Sequence, residues 1–214
     1  MLTAVKARRL FIAGASGATG QLVLPLAVSE GVPVLAHLRP KRGRAADAQH
    51  AVFELSDTEA LVAALRGCST ILQLIGTVRA RFAAGDTYET SDVGTTRALV
   101  EAGRTAGIDH VVLLSSVGAG YPLGAYLRAK AAAERLVQQS ALPWTIFRPS
   151  AFQSDQHRLP GLALFTRAPG LDRFRPMPLS WLARGLVRTG KERAPLGAVL
   201  EGRELFAWVS PASR

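Results

Sequence analysis

The 214-residue chain is poor in the side chains that bind metals or form cross-links. Its single cysteine, Cys68, rules out an internal disulfide and a cysteine-based zinc cluster. Four histidines are scattered without metal-ligand spacing, at positions 37, 50, 110 and 157. We therefore expect no metal site, and we interpret Cys68 as a small buried residue.

Long hydrophobic runs are also missing. No stretch approaches the roughly 18 apolar residues that span a bilayer, and the first apolar run is short and enters a glycine-rich turn. Neither a membrane span nor a signal peptide is expected, and an unpaired cysteine suits a reducing compartment, so we predict a cytoplasmic protein. With 48% hydrophobic residues, the chain is also too apolar for a disordered segment.

Acidic residues are few, and 26 basic against 16 acidic side chains give a net charge of +10. Nucleic acid, a membrane surface or a phosphorylated ligand would all suit this charge. Half of it, +5, falls in residues 151–214, which carry ten basic and five acidic residues. This segment has no interleaved aromatic pattern and no known reader motif, so we favour a solvated arginine-rich surface and expect no nucleic-acid partner.

Short apolar runs alternate with segments of helical period. Strands are predicted at 10–13, 32–38, 51–54, 70–75, 110–115 and 144–148, and helices at 17–29, 57–66, 88–106 and 126–140. Gly31, Gly67 and Gly107 follow three of the helices, as left-handed caps do. The alternation predicts an α/β doubly wound parallel sheet, the Rossmann fold.

The alternation of strand and helix patterns ends after Pro149. Residues 150–178 are predicted to be irregular and to suit a substrate-side lid, followed by a helix at 179–188 and a strand at 204–209. We predict one Rossmann domain over 1–214, with a small C-terminal extension, 150–214, folded onto it.

The strongest motif is a glycine-rich turn between the first strand and the first helix. Gly14, Gly17 and Gly20 provide a tight turn, a close backbone approach to a pyrophosphate, and close packing of helix on strand. The helix N-terminus then favours an anion. This context predicts dinucleotide binding rather than a purely structural turn.

The end of the second strand indicates which dinucleotide is bound. An NAD site usually has an acidic residue there, but this chain has Arg39 and then Lys41, Arg42 and Arg44. Because a guanidinium suits a 2′-phosphate, we predict that NADP(H) is preferred through Arg39, with NAD(H) also possible. The other three cations are interpreted as a solvated loop.

Tyr126 and Lys130 form a YxxxK pattern on a predicted helix. Residues four apart share a helix face, and a nearby ammonium lowers the pKa of a phenol toward the range of general acid/base work. Ser115 and Ser116 end the preceding strand, where a hydroxyl could bind a substrate carbonyl. The alternative is that the two serines only terminate the strand.

These motifs occur in an order that resembles the atypical, NmrA-like short-chain dehydrogenase/reductases, and among them the Tat-interacting-protein-like NAD(P)H-binding oxidoreductases. The resemblance is carried by GASGATG at 14–20, Arg39-Pro40, ELSD at 54–57, Gly76-Thr77, the run at 91–119, YLRAK at 126–130 and FRPS at 147–150. LEGRELFAWV at 200–209 adds a weaker match in the tail.

The resemblance implies a seven-stranded Rossmann sheet of order 3-2-1-4-5-6-7 and a set of site residues. The cofactor-binding positions it implies are Gly14, Ser16, Gly17, Ala18, Thr19, Gly20, Arg39, Glu54, Leu55, Leu74, Gly76, Thr77, Lys130, Arg148, Pro149 and Ser150. The catalytic positions are Tyr126, Lys130 and Ser116 or Ser115. Two departures stand out, because Glu54 replaces the usual aspartate and Asp92 lies where the family has an asparagine.

The expected function is NADPH-dependent reduction of a small carbonyl or quinone-like substrate, or an isomerisation that uses the bound cofactor. The alternative is an NADP(H)-binding redox sensor that engages a protein partner with little or no catalysis. A charge-driven nucleic-acid binder is a third, less favoured hypothesis. A monomer and a homodimer both remain open.

Overall fold

A parallel sheet of seven strands is the centre of the computed structural model, which describes residues 9–41, 47, 49–76, 85, 87–150, 152–153 and 172–211. Its strands are β1 (Arg9–Ala13), β2 (Val34–Leu38), β3 (His50–Val52), β4 (Cys68–Gln73), β5 (His110–Leu114), β6 (Trp144–Arg148) and β9 (Ala198–Glu201). β4 and β5 are buried at every position, as strands covered on both faces are. Two further strands, β7 (Phe152–Gln153) and β8 (Met177–Pro178), pair with each other.

The strand order is β3-β2-β1-β4-β5-β6-β9, and each neighbouring pair is parallel. This order matches the one that the resemblance implies, and the fold prediction is confirmed. The order reverses between β1 and β4, because the chain runs outward to β3 and then crosses back. In open α/β sheets the crevice at the carboxyl ends of such a pair is where ligands bind.

Helices cover both faces of the sheet. They are α1 (Gly20–Ser29), α2 (Thr58–Leu65), α3 (Thr95–Ala106), α4 (Gly124–Gln138), α5 (Leu179–Glu192) and α6 (Gly202–Val209), and a π-helical turn, Glu89–Gly94, precedes α3. Alternate residues of β1 face opposite sides: Leu10 and Ile12 pack with α1, α5 and α6, while Phe11 and Ala13 pack with α2, α3 and α4. No helix among the described residues has the length and apolar character needed to cross a bilayer.

Three predicted helix ends are confirmed by the backbone. Gly31, Gly67 and Gly107 have φ values of +67°, +81° and +71°, which is the left-handed region that glycine adopts without strain. The helix predicted at 88–106 is present, although its first turn is π-helical. Cys68 is buried, as expected.

The strand predicted at 204–209 was wrong, because these residues lie in α6 and the strand, β9, precedes it. Leu205 and Val209 are four residues apart, and both are buried against the sheet, so a helical period fits them better than alternation. A Cβ on Gly185 of α5 would overlap Val209, so a glycine at this position lets the two helices approach closely.

β9 brings part of the tail into the central sheet. The division into one domain with a folded-on extension stays a prediction. Of the segment predicted to be an irregular lid, only residues 150, 152–153 and 172–178 are described.

Candidate functional site

The glycine-rich turn lies at the carboxyl end of β1, beside the end of β4. Gly14 has a φ of +94°, and a Cβ there would lie 2.9 Å from the backbone nitrogen of Ile75. A Cβ on Gly20 would overlap the carbonyl oxygen of Gly14. Two of the three glycines are therefore required by how the turn packs against itself and against β4.

The outer part of this turn presents backbone donors to solvent. Ser16, Gly17 and Ala18 are exposed, and the Gly17 N–H donates to the Gly14 carbonyl at 3.0 Å. Within the described part of the chain, the N–H groups of Ser16, Ala18 and Thr19 have no acceptor, and no side chain caps α1. Exposed donors at a helix N-terminus fit an anionic group such as a pyrophosphate.

The residues predicted to surround the adenosine end follow β2 and β3. Arg39 and Lys41 are exposed just beyond β2, whereas Arg42 and Arg44 lie outside the described residues. Glu54 is exposed and Leu55 half-buried at the end of β3.

His37 of β2 was not predicted to belong to the site. It lies against Phe53, and with Nε2 protonated it donates to the Phe53 carbonyl at 2.8 Å. Burial lowers the pKa of His37, which keeps the imidazole neutral in this role. Its bond fixes the backbone immediately before Glu54.

A buried ion pair lies at the ends of β4 and β5. Lys130 Nζ of α4 is 2.6 Å from Asp92 Oδ1 of the π-helical turn, and both side chains are more than nine-tenths buried. Lys130 also donates to the Leu114 carbonyl at 3.3 Å. A Cβ on Gly76 would lie 2.9 Å from Lys130 Nζ and 3.4 Å from Asp92 Oδ1, so the pair occupies the space that a side chain at 76 would take.

Tyr126 lies near this ion pair and is partly exposed to solvent. Its ring centroid is 5.8 Å from Lys130 Nζ and 5.5 Å from the ring of Tyr88, and the residue is 36% exposed. Its hydroxyl has no hydrogen-bond partner among the described residues. Phenol and ammonium thus face the same region, as the YxxxK spacing predicts.

The two serines at the end of β5 have different surroundings. Ser115 is buried, and its hydroxyl donates to Glu134 Oε1 at 2.5 Å. Ser116 is half-buried, and its hydroxyl has only a long 3.3 Å contact with the neighbouring Val117 carbonyl. Gly118 packs against Leu127, which holds this loop on the first turn of α4. Ser116 is therefore the freer hydroxyl.

Arg148 belongs to a carboxylate network rather than standing alone. Its guanidinium forms two bonds to Glu134, at 2.9 and 2.6 Å, and one to Glu201 at 3.2 Å. The hydrogen bonds and charge of Glu134 raise the pKa of Arg148. This network joins β6, α4 and β9, and the predicted cofactor role of Arg148 stays a prediction.

The remaining predicted positions are placed as follows. Leu74 and Pro149 are buried, Ser150 is buried and donates to the Arg175 carbonyl, and Thr77 lies outside the described residues. Among the residues that the structure describes, no three His, Cys, Asp or Glu side chains form a metal cluster.

A family model described as NAD(P)H-binding matches residues 14–168, which is most of the chain. The chain belongs to this NAD(P)H-binding family. The match begins at the glycine-rich turn and includes Tyr126 and Lys130. The expected NAD(P)H-binding family is confirmed by this match, and the expected fold is confirmed by the sheet.

One curated relative is a chloroplastic protein of Arabidopsis thaliana, described only as uncharacterized. It is 27% identical over 181 residues, and the match covers 71% of this chain and 62% of the relative. The chain thus spans less than two-thirds of the length of that relative.

Solved structures share the fold of this NAD(P)H-binding protein. A Bacillus halodurans protein described as an NAD-dependent epimerase/dehydratase has a TM-score of 0.71 at 20% identity, covering 89% of this chain and 91% of its own. MoeE5, solved with UDP-glucose and NAD, has a TM-score of 0.68 at 22% identity, covering 94% and 80%. A short-chain dehydrogenase/reductase superfamily protein of Agrobacterium tumefaciens with bound NAD has a TM-score of 0.66 at 20% identity, covering 91% and 77%.

Proposed function

We propose that this protein is an NADPH-dependent oxidoreductase that acts on a small carbonyl or quinone-like substrate. The observation that carries the proposal is the position of the Tyr126 and Lys130 side chains. They meet at the ends of β4 and β5, next to a glycine-rich turn with free donors. Two solved relatives of the same fold contain bound NAD, which supports a dinucleotide in this crevice.

The residues present fit such a dinucleotide. The N–H groups of Ser16, Ala18 and Thr19, which have no acceptor among the described residues, would bind its pyrophosphate, and Gly76 would leave room beside Lys130 for its nicotinamide half. When bound, the nicotinamide supplies a hydride to a substrate carbon or accepts one from it.

The protein's own residues would bind and protonate the substrate oxygen. The Ser116 hydroxyl would donate a hydrogen bond to it, and Tyr126 Oη would supply the proton. Ser115 would hold the loop in place through its bond to Glu134.

Replacing Tyr126 with Phe tests the proton donor. Because only the hydroxyl is lost, NADPH binding should be retained while reduction falls by about 100-fold or more. The matched control is Tyr121→Phe, a tyrosine of the preceding loop that is 83% exposed and outside the pair. Unchanged turnover in Tyr126→Phe across a panel of carbonyls and quinones would refute the role.

The preference for NADPH is a separate proposal that rests on Arg39. Titration of NADPH and NADH should show tighter binding of NADPH, and Arg39→Ala should remove most of the difference, about tenfold or more, through loss of charge-assisted bonds. Lys41→Ala, an exposed cation two residues on, is the control. Equal affinities in the wild type would contradict this preference.

The second candidate is a redox sensor that binds NADP(H) and engages a protein partner. It is favoured by the 2.6 Å contact of Lys130 with Asp92, because Asp92 neutralises the charge that would otherwise act on Tyr126 at 5.8 Å. This candidate predicts no turnover on the panel and a partner affinity that changes with NADP(H). A partner affinity indifferent to the cofactor would count against it.

A further inference from the structure

We infer that Asp92 sets the relative affinity of the protein for oxidised and reduced dinucleotide by neutralising Lys130. The inference rests on the proposed function, since it requires a dinucleotide in the crevice. It assigns a task to the residue that departs from the family's asparagine.

The position of the ion pair determines which half of the ligand it would meet. The crevice opens between β1 and β4, where the strand order reverses. The glycine-rich turn at β1 would bind the pyrophosphate, and Arg39 follows β2 on one side of it. The ligand's other half must then extend over the ends of β4 and β5, where Lys130 contacts the Leu114 carbonyl and lies over Gly76.

The ion pair of Lys130 and Asp92 has no net charge. Lys130 Nζ lies 2.6 Å from Asp92 Oδ1 as an ion pair, and it donates a hydrogen bond to the Leu114 carbonyl. Among the described residues, Gly76 is exposed and lies beside the pair, and its lack of a side chain leaves open the space next to Lys130 Nζ. An asparagine at 92 would keep the shape of the side chain but carry no charge, so the ammonium would keep its full positive charge.

That charge would discriminate between the two redox forms. The nicotinamide ring is cationic when oxidised and neutral when reduced, so an unneutralised ammonium nearby repels only the oxidised form. In a partly buried site a single charge changes binding by about tenfold or more. With Asp92 in place this penalty is absent, and the protein can hold either form.

The test compares the affinities of NADP⁺ and NADPH by calorimetry in the wild type and in Asp92→Asn. We expect the variant to shift the ratio toward NADPH by about tenfold, chiefly through weaker NADP⁺ binding. Adenosine diphosphate ribose 2′-phosphate, which lacks the nicotinamide, should bind both proteins equally. The double variant Asp92→Asn/Lys130→Met carries neither charge and should return the ratio to the wild-type value.

The outcomes separate this inference from the proposed function. If the wild type binds neither dinucleotide, the proposed function fails and the inference fails with it. If it binds both, and Asp92→Asn weakens both forms and the fragment alike, the function stands and the inference is overturned. Should Asp92→Asn not fold, Asp92→Ser removes the same charge with a smaller side chain: its ratio should also move toward NADPH, and an unmoved ratio overturns the inference.

Discussion

His110, buried at the start of β5, should make the stability of the protein depend on pH. The side chain is fully buried, with Nε2 2.8 Å from Thr145 Oγ1. Burial, with a smaller contribution from the charge of Arg193, lowers the pKa of His110 from 6.5 to about 4. Between these values the unfolded chain binds a proton that the folded protein does not, so folding stability rises with pH across this window.

The size of the effect follows from the two pKa values. The gap between 6.5 and about 4 corresponds to about 3 kcal/mol in total. This contribution is complete above about pH 7, and about 2 kcal/mol of it is lost once the pH has fallen to 5.

Urea unfolding of the wild type and of His110→Gln at pH 7.5 and pH 5 measures this loss. The free energy of unfolding should fall by about 2 kcal/mol more in the wild type than in the variant, since groups common to both cancel. Thr145→Val is the control, because it removes the hydroxyl partner but keeps the imidazole, and it should retain the pH difference. Equal pH dependence in wild type and His110→Gln would refute the reasoning.

Two further predictions concern the turn and the carboxylate network. A Cβ in Gly20→Ala would overlap the Gly14 carbonyl oxygen. This variant should therefore lose dinucleotide binding in calorimetry and about 1–3 kcal/mol of stability in urea unfolding. Tight dinucleotide binding by the variant would contradict the packing argument. Glu134→Gln should cost about 3–5 kcal/mol in the same unfolding assay, because it leaves the Arg148 guanidinium, 18% exposed, with only part of its ion pairing. Glu192→Gln, which removes an exposed ion pair on α5, should cost no more than about 1 kcal/mol, and an equal cost in the two variants would refute the difference.

The first six strands and the glycine-rich turn could be predicted from the sequence because both are local signals, whereas the strand order was implied only by the resemblance. Each strand of the sheet is a short apolar run, and Gly14, Gly17 and Gly20 are separated by fixed steps. The tail was predicted less well. Its aromatic and β-branched residues suit a strand by propensity, but the packing of Leu205 and Val209 against α5 and the sheet favours a helix.

The partners within the site could not be predicted, because they lie far apart in the sequence. Asp92 and Lys130 are 38 positions apart and meet only once α4 and the π-helical turn pack together. The same holds for Ser115 and Glu134, whose bond distinguishes two serines that are equivalent in the sequence. The buried carboxylates that contact Lys130 and Ser115 are therefore set by tertiary packing. They neutralise the charge of Lys130 and occupy the hydroxyl of Ser115.

The basic tail has a structural use that its charge alone does not indicate. Arg175 lies over the ring of Phe206 at 4.8 Å, and Arg188 lies over Trp208 at 3.9 Å. A guanidinium stacked on an aromatic face stabilises the contact by about 0.5–1 kcal/mol at an exposed site. Trp208 in turn donates to Thr189 at 2.7 Å, so these arginines cover the aromatic residues that join α6 to α5. Part of the tail's positive charge is therefore explained by packing against aromatic side chains and not by a ligand.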